Sequence, residues 1–388
     1  MPAGRRWAEA VVDATSLEQT IAVTVDCLLA ALAPLGFIAR HLHPPDMDAV
    51  LAAVGAPDEA LTTALEQFRA AAWPEQLAGF RGQVDRAAEA TLEAWGGLRM
   101  AAVGGDIRRA YRALRSETRA QEALYPLCRA LPAVSGFFLE PDQRSDAALI
   151  ADLAQGMGKP GRGVMHAENA EAMRGGFSLF VPEDTRDTTP RPLVVALHGG
   201  SGHGRSFLWH WVRTARSRGL IVAAPTAIGQ TWALAGEDLD TPNIGRMIDF
   251  IAGRWPVDTS RMLLTGMSDG GTFTLLTGLQ SDSRFTHLAP FAASFHPILI
   301  EMSERSRLRG LPVHLVHGAL DWMFPVEIGR AAHGALAAAG AAVTYAEVDD
   351  LSHTYPRDLQ PALVDWFLVV RSKRLLSKRL VNRPTESR

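Results

Sequence analysis

Over residues 1 to about 130 the chain repeats apolar side chains every three to four positions. That is the spacing of one buried face on a helix. "SLEQTIAVTVDCLLAALAPLG" begins at Ser16, a good N-cap, has Gln19 three residues on, and reaches Gly36, which predicts a helix between them. "PDEALTTALEQFRAAAW" opens with proline and two acids, which suit the positive end of a helix dipole. "VDRAAEATLEAWGGLRMAA" and "DIRRAYRALRSETRAQEALYPL" continue the pattern in Ala, Leu, Arg and Glu. No fixed-period repeat is visible, so a solenoid is not indicated.

From about residue 134 the pattern changes. "GFFLEP" and "GFSLFVPE" are short apolar runs closed by proline, and "PLVVALHGG" is a continuous apolar run, the mark of a strand buried on both faces. "LIVAAPT", "RMLLTG", "LAPFAASF", "PVHLVHG" and "VTYAEVDD" come after it, separated by helical stretches such as "SFLWHWVRTARSRG" and "TPNIGRMIDFIAGRW". Alternating strands and helices predict an α/β fold with a mostly parallel sheet. The expected organisation is a helical N-terminal domain over 1–133, an α/β domain over 134–370 ending in the helix "LQPALVDWFLVV", and a basic tail over 371–388 read as a frayed helix end and loose chain rather than a membrane or partner anchor.

Composition narrows the function classes. Hydrophobic residues make up 47% of the 388, enough to bury a substantial core, and the formal net charge is -3. There is no basic field of the kind nucleic-acid binding needs. Cys27 and Cys128 are the two cysteines, without a CxxC pair, so neither a zinc knuckle nor a disulfide framework is indicated. Arg5 and Arg6 hint at an export signal, but Glu9, Asp13, Glu18 and Asp26 interrupt the apolar residues beyond them. The expectation is that no segment is long and apolar enough for a signal peptide or a membrane span, and that the protein is soluble and cytoplasmic.

The chemistry concentrates in the second half. Gly266-Met267-Ser268-Asp269-Gly270 fits G-x-S-x-G, preceded by the predicted strand "RMLLTG" and followed by the predicted helix "GGTFTLLTGL". Such a turn holds its serine in a strained backbone conformation, and the glycines remove side chains that would clash there. A serine hydroxyl needs a base to take its proton, and the base needs a carboxylate to orient it. Behind such an elbow the partners come in the order acid, then histidine. Asp321 lies just past the strand "PVHLVHG", where open α/β sheets carry functional loops, and His353 lies past the next strand. Asp349 and Asp350 are rival acids that read equally as solvated turn residues. His314 falls inside a strand, His333 in a helix, His317 before the acid, and His296 at a strand end, all better suited to packing or to bordering a site. "LHGGSGHG" is a glycine-rich loop whose amides can face a developing negative charge, with Gly200, or else Ser201, as one donor and the amide of Asp269 as the other. A phosphate-cradling loop is the competing reading, but the P-loop lysine and the G-x-G-x-x-G spacing are both missing.

Taken together, "VVALHGGSGHG", "WPVDTSRMLLTGMSDGG", "HGALDWMFP" and "LSHTYP" resemble the α/β-hydrolase superfamily, and within it the serine esterases of the phospholipase/carboxylesterase and polyhydroxybutyrate-depolymerase or feruloyl-esterase-like groups. The resemblance spans about residues 175–370. It implies Ser268 as nucleophile, Asp321 as acid, His353 as base, and oxyanion donors at Gly200 and Asp269. The implied reaction is hydrolysis of a small-molecule carboxylic ester through an acyl-enzyme, with no cofactor and no metal. A thioesterase or peptidase with the same triad, and a non-catalytic binding protein on the same fold, are the alternatives. The N-terminal helices depart from the compact esterases; a lid, a dimerisation unit that makes a homo-oligomer, and a separate binding module are the readings they leave. Between Leu279 and Pro312 there is no room for a large lid, which predicts an open site unless the N-terminal domain covers it. Trp232, Trp322 and Phe324 fall in loops on the expected catalytic side and are candidate substrate-binding residues.

Overall fold

The structure is a computed structural model that describes residues 3–186 and 188–368, so the basic tail lies outside the described residues. The chain divides into two compact units, Met1–Gly158 and Lys159 onward.

The first unit is helical: α1 (Ala3–Arg40), α2 (Met47–Val54), α3 (Pro57–Ala70), α4 (Ala78–Gly104), α5 (Ile107–Leu124), α6 (Pro132–Phe137) and α7 (Ala147–Gly156). Pro57 starts α3 with Asp58 and Glu59 in its first turn, and the Asp106 side chain caps α5 by accepting from the Arg109 amide at 3.1 Å. The Trp95 indole of α4 donates to the Ala31 carbonyl of α1 at 2.9 Å, so even this large core side chain is satisfied.

Three expectations need correction here. Helix α1 neither starts at Ser16 nor stops at Gly36, but runs through Pro34 to Arg40. Leu28, Leu32, Leu35 and Ile38 are fully buried along one stripe, and that packing outweighs the amide Pro34 cannot supply. Second, among the described residues the stretch Ser16–Arg40 is, by length and composition, long and apolar enough to cross a membrane. Glu18 and Asp26 dilute the stretch less than expected, because no charge comes after Asp26 until Arg40. Third, "GFFLEP" is no strand. Phe137 ends α6, Phe138 meets Tyr125 edge-on at 5.2 Å, and Phe137, Phe138 and Leu139 are buried, so this apolar run belongs to the helical unit. The division therefore falls after Gly158 and not at residue 133.

The second unit is built on one eight-stranded sheet: β1 (Gly163–Ala167), β2 (Phe177–Val181), β3 (Arg191–Leu197), β4 (Ile221–Pro225), β5 (Val257–Met267), β6 (His287–Phe291), β7 (Pro312–Gly318) and β8 (Ala342–Val348). The strand order is β1-β2-β4-β3-β5-β6-β7-β8. β1 and β2 pair antiparallel and β2 joins β4 antiparallel, while every pairing from β4 to β8 is parallel. Helices α8 (Gly204–Leu208), α9 (Val212–Arg218), α10 (Asp240–Ala252), α11 (Asp269–Gly278), α12 (Ile298–Glu301), α13 (Arg305–Leu308) and α14 (Val326–Ala338) lie between the strands, and the chain is helical again over 360–368. This is the α/β-hydrolase architecture expected from the sequence. β3, β4 and β6 are buried at every residue, as their apolar runs require, with Arg191 and His287 buried at the starts of β3 and β6.

After β3 the chain adds β4 on one side and then returns to add β5 on the other. A crevice opens at the strand ends where the order reverses, and loops from both directions converge there. The β5–α11 turn fits this crevice only because Gly270 has no side chain. A Cβ on Gly270 would lie 2.4 Å from the His198 carbonyl oxygen and 2.6 Å from that of Leu197, both main-chain atoms. Gly334, exposed within α14, would meet nothing within 4 Å. Gly270→Ala is therefore expected to lower unfolding free energy by about 3 kcal/mol. Gly334→Ala is expected to raise it by about 0.5–1 kcal/mol through helix propensity. Urea denaturation of the two variants measures both.

Candidate active site

Ser268 sits between β5 and α11 with φ 57 and ψ -121, a conformation that L-residues rarely hold. The strain is contained by hydrogen bonds on both sides: the Ser268 amide donates to the Phe291 carbonyl at 3.0 Å, and the Thr272 amide donates to the Ser268 carbonyl at 2.9 Å.

His353 lies in the loop after β8, and its Nε2 is 3.0 Å from Ser268 Oγ. Its Nδ1 is 2.8 Å from Asp321 Oδ2. The other carboxylate oxygen of Asp321 accepts from the amides of Met323 at 2.9 Å and Phe324 at 2.8 Å. Main-chain donors thus fix the plane of the acid, and the acid fixes the imidazole. All three side chains are buried. Asp349 and Asp350, the rival acids, are both exposed in the turn just after β8. The acid and base loops are joined by backbone bonds: Ala319 donates to Val348 at 2.9 Å and Leu320 donates to Leu351 at 3.0 Å. His317, buried at the end of β7, donates from Nε2 to the Phe324 carbonyl at 2.8 Å and closes the acid loop on itself.

The glycine loop after β3 lies against the elbow. A Cβ on Gly199 would sit 3.5 Å from Ser268 Cβ, and one on Gly200 would come within 2.7 Å of Asp269 Oδ2. The Gly199 carbonyl and the Gly200 amide belong to one planar peptide unit. That carbonyl accepts from the Gly202 amide at 3.0 Å and from His198 Nδ1 at 2.7 Å. The Gly200 N–H, pointing opposite to that carbonyl within the plane, is thereby aimed away from both. His198 Nε2 accepts from the Ala227 amide at 3.1 Å, which fits the tautomer with its proton on Nδ1. Ser201, the alternative donor, occupies φ 54 at the tip of the turn.

The three aromatic candidates divide. Trp232 is only 2% exposed; its ring stacks on Phe273 at 5.4 Å and its N–H donates to the His198 carbonyl at 2.7 Å. Its place is therefore a buried wedge behind the glycine loop. Phe324 meets the His353 ring edge-on at 5.3 Å, and Trp322, 44% exposed, lies 6.5 Å from it. The segment between Leu279 and Pro312 holds β6 and the short α12 and α13, with no large insertion.

Several residues around the site gave no sequence signal. Thr231 donates to Asp269 Oδ2 at 2.6 Å, and buried Asp240 accepts from the amides of Ile228 and Ala233, both at 2.9 Å. Tyr355, two residues past His353, is buried against Phe207, Phe291 and His210, with its hydroxyl accepting from Gln360 at 3.2 Å. Burial pushes this phenol above its ordinary range. The His210 ring stacks on Tyr355 at 5.7 Å, and its Nδ1 has no partner among the described residues. Burial, with a smaller contribution from the Arg357 charge, brings the His210 pKa down to about 3.

Residues 237–363 match the family described as Phospholipase/Carboxylesterase. The bifunctional acetylxylan esterase/xylanase XynS20E of Neocallimastix patriciarum is 31% identical over 135 residues, which are 34% of this chain and 19% of that protein. The chain thus spans about a fifth of that relative's length. Among solved structures, a thermostable esterase aligns at 21% identity and TM-score 0.44, over 53% of this chain and 62% of that one. FphF, a fluorophosphonate-binding serine hydrolase of Staphylococcus aureus, aligns at 16% identity and TM-score 0.41, over 53% of this chain and 96% of that one. The resemblance to α/β-hydrolase esterases read from the sequence is borne out.

The position of His210 under the base loop has a pH consequence. The folded chain keeps this imidazole neutral, whereas the unfolded chain protonates it below about 6.5. Stability is therefore retained above that pH and falls progressively as pH drops toward 3. Between pH 7.5 and pH 5 the loss from this one group is expected to be on the order of 1–2 kcal/mol. His210→Phe, which keeps the stack on Tyr355, is expected to lose correspondingly less over the same interval, as measured by chemical denaturation at the two pH values.

Proposed function

We propose that the second unit is a serine hydrolase that cleaves carboxylic esters. The observation that carries this reading is the buried line Ser268 Oγ, His353 Nε2 at 3.0 Å, and Nδ1 to Asp321 at 2.8 Å. In this mechanism Ser268 attacks the ester carbonyl as His353 takes its proton. Asp321 holds the imidazole in the required tautomer and stabilises it when charged. The Gly200 and Asp269 amides receive the developing oxyanion. His353 then protonates the leaving alcohol. Water, activated by the same imidazole, attacks the acyl-enzyme and releases the acid with Ser268 restored.

Trp322 and Phe324, beside His353, border the region where the alcohol leaves, and are assigned to substrate contact. The name of the Neocallimastix relative makes acetyl esters the first substrates to test. With p-nitrophenyl acetate, Ser268→Ala is expected to reduce kcat by about 10⁴–10⁶-fold while the fold is retained. A fluorophosphonate probe should label the wild type at Ser268 and leave the variant unlabelled. Wild-type protein that is folded, inert toward acetyl, thioester and peptide substrates, and unlabelled would favour a binding role on the same fold.

A further inference from the structure

We propose that Arg174 is a positioning residue that holds both halves of the oxyanion hole by clamping two loops together. The inference rests on the hydrolase reading above and adds to it a residue remote from the elbow and the triad in sequence.

Arg174 lies in the stretch that leads into β2 and is half-buried. Its Nη1 donates to the Gly202 carbonyl at 2.7 Å. Its Nε and Nη2 donate to the Gly229 carbonyl at 2.9 and 2.6 Å, and Nη2 also reaches the Gln230 carbonyl at 3.3 Å. One planar, permanently charged fork therefore gathers main-chain oxygens from the loop after β3 and the loop after β4. Desolvation lowers its pKa somewhat and the Asp240 charge opposes that, so the group remains a cation.

Each arm of the fork leads to one oxyanion donor. On the first side, Arg174 fixes Gly202, the Gly202 amide holds the Gly199 carbonyl, and that carbonyl sets the plane from which the Gly200 N–H points. On the second side, Arg174 fixes Gly229 and Gln230, and the next residue, Thr231, donates to Asp269 Oδ2 at 2.6 Å. Asp269 is a charged residue directly after the nucleophile. Its carboxylate would repel an oxyanion if it swung inward. Thr231 holds it in place beside the Gly200 backbone. The consequence is felt chiefly in the transition state, because a neutral ester carbonyl draws much less on these donors than the oxyanion does.

The test compares wild type, Arg174→Lys, Arg174→Ala and Thr231→Val with p-nitrophenyl acetate. Arg174→Ala is expected to lower kcat about 10–100-fold with KM changed less than about 3-fold, less than the full loss of one donor and in line with a donor displaced by a fraction of an ångström. Affinity for a trifluoromethyl ketone, which forms an oxyanion adduct, should fall in proportion to kcat/KM. Millimolar guanidinium should restore part of the Arg174→Ala rate and leave the wild type unchanged, which loosened packing alone would not produce. Arg174→Lys, a point charge without the fork, should fall between. Thr231→Val removes one hydrogen bond at nearly constant volume and should lower kcat in the same sense, so it decides the matter even where Arg174→Ala does not fold. Folded variants with unchanged kcat, or with the whole effect in KM, overturn the clamp while leaving the hydrolase reading intact. A wild type without hydrolysis or label overturns both.

Discussion

The site depends on a single strained residue. Ser268 is held at φ 57 by a carbonyl of β6 on one side and by the first turn of α11 on the other. In that conformation its hydroxyl lies 3.0 Å from His353 Nε2. The same conformation brings the turn so close to the end of β3 that Gly270 lies under the carbonyls of Leu197 and His198. Ser268 and the glycine loop are therefore one packing problem. Neither can be placed without the other, and the parallel pairing of β3 with β5 supplies the shared register.

Around that pair the polar atoms are accounted for with little slack. The His198 ring spans two loops, with Nδ1 bound to Gly199 and Nε2 to Ala227, while its own carbonyl takes the Trp232 N–H. Asp240 holds two amides of the loop after β4. Buried groups paired in this way are costly to disturb, since each broken partner leaves another atom without water or a bond. Preorganisation of this kind is what an oxyanion site needs, because donors already in place do not have to reorient as charge develops.

The sequence made some of this plain and hid the rest for physical reasons. Buried parallel strands announce themselves as unbroken apolar runs, so β3 and β4 were legible. The elbow was legible because only glycine fits beside Ser268. Asp321 and His353 could be read from their places just beyond two successive strands. Helix limits were less legible: Ser16 and Gly36 carry the local chemistry of ends, yet a buried stripe carries α1 past both. "GFFLEP" has a strand's composition, but its partners are Tyr125 and the helical unit. The packing of Trp232 is not legible in the sequence, since an indole reads the same whether it faces substrate or, as here, donates to a buried carbonyl. Arg174 and Thr231 act through main-chain oxygens or a single carboxylate far away in sequence, and no local pattern marks such a role.

The backbone bonds between the β7 and β8 loops divide Ser268, Asp321 and His353 unevenly. Ala319 to Val348 and Leu320 to Leu351 stitch the acid and base segments into one piece, whereas Ser268 rides on β5, two strands away. A displacement of β7 and β8 together would keep imidazole and carboxylate paired and change the distance to the Ser268 hydroxyl. Under the proposed hydrolase mechanism, that gap is the one the proton crosses from Ser268 to His353.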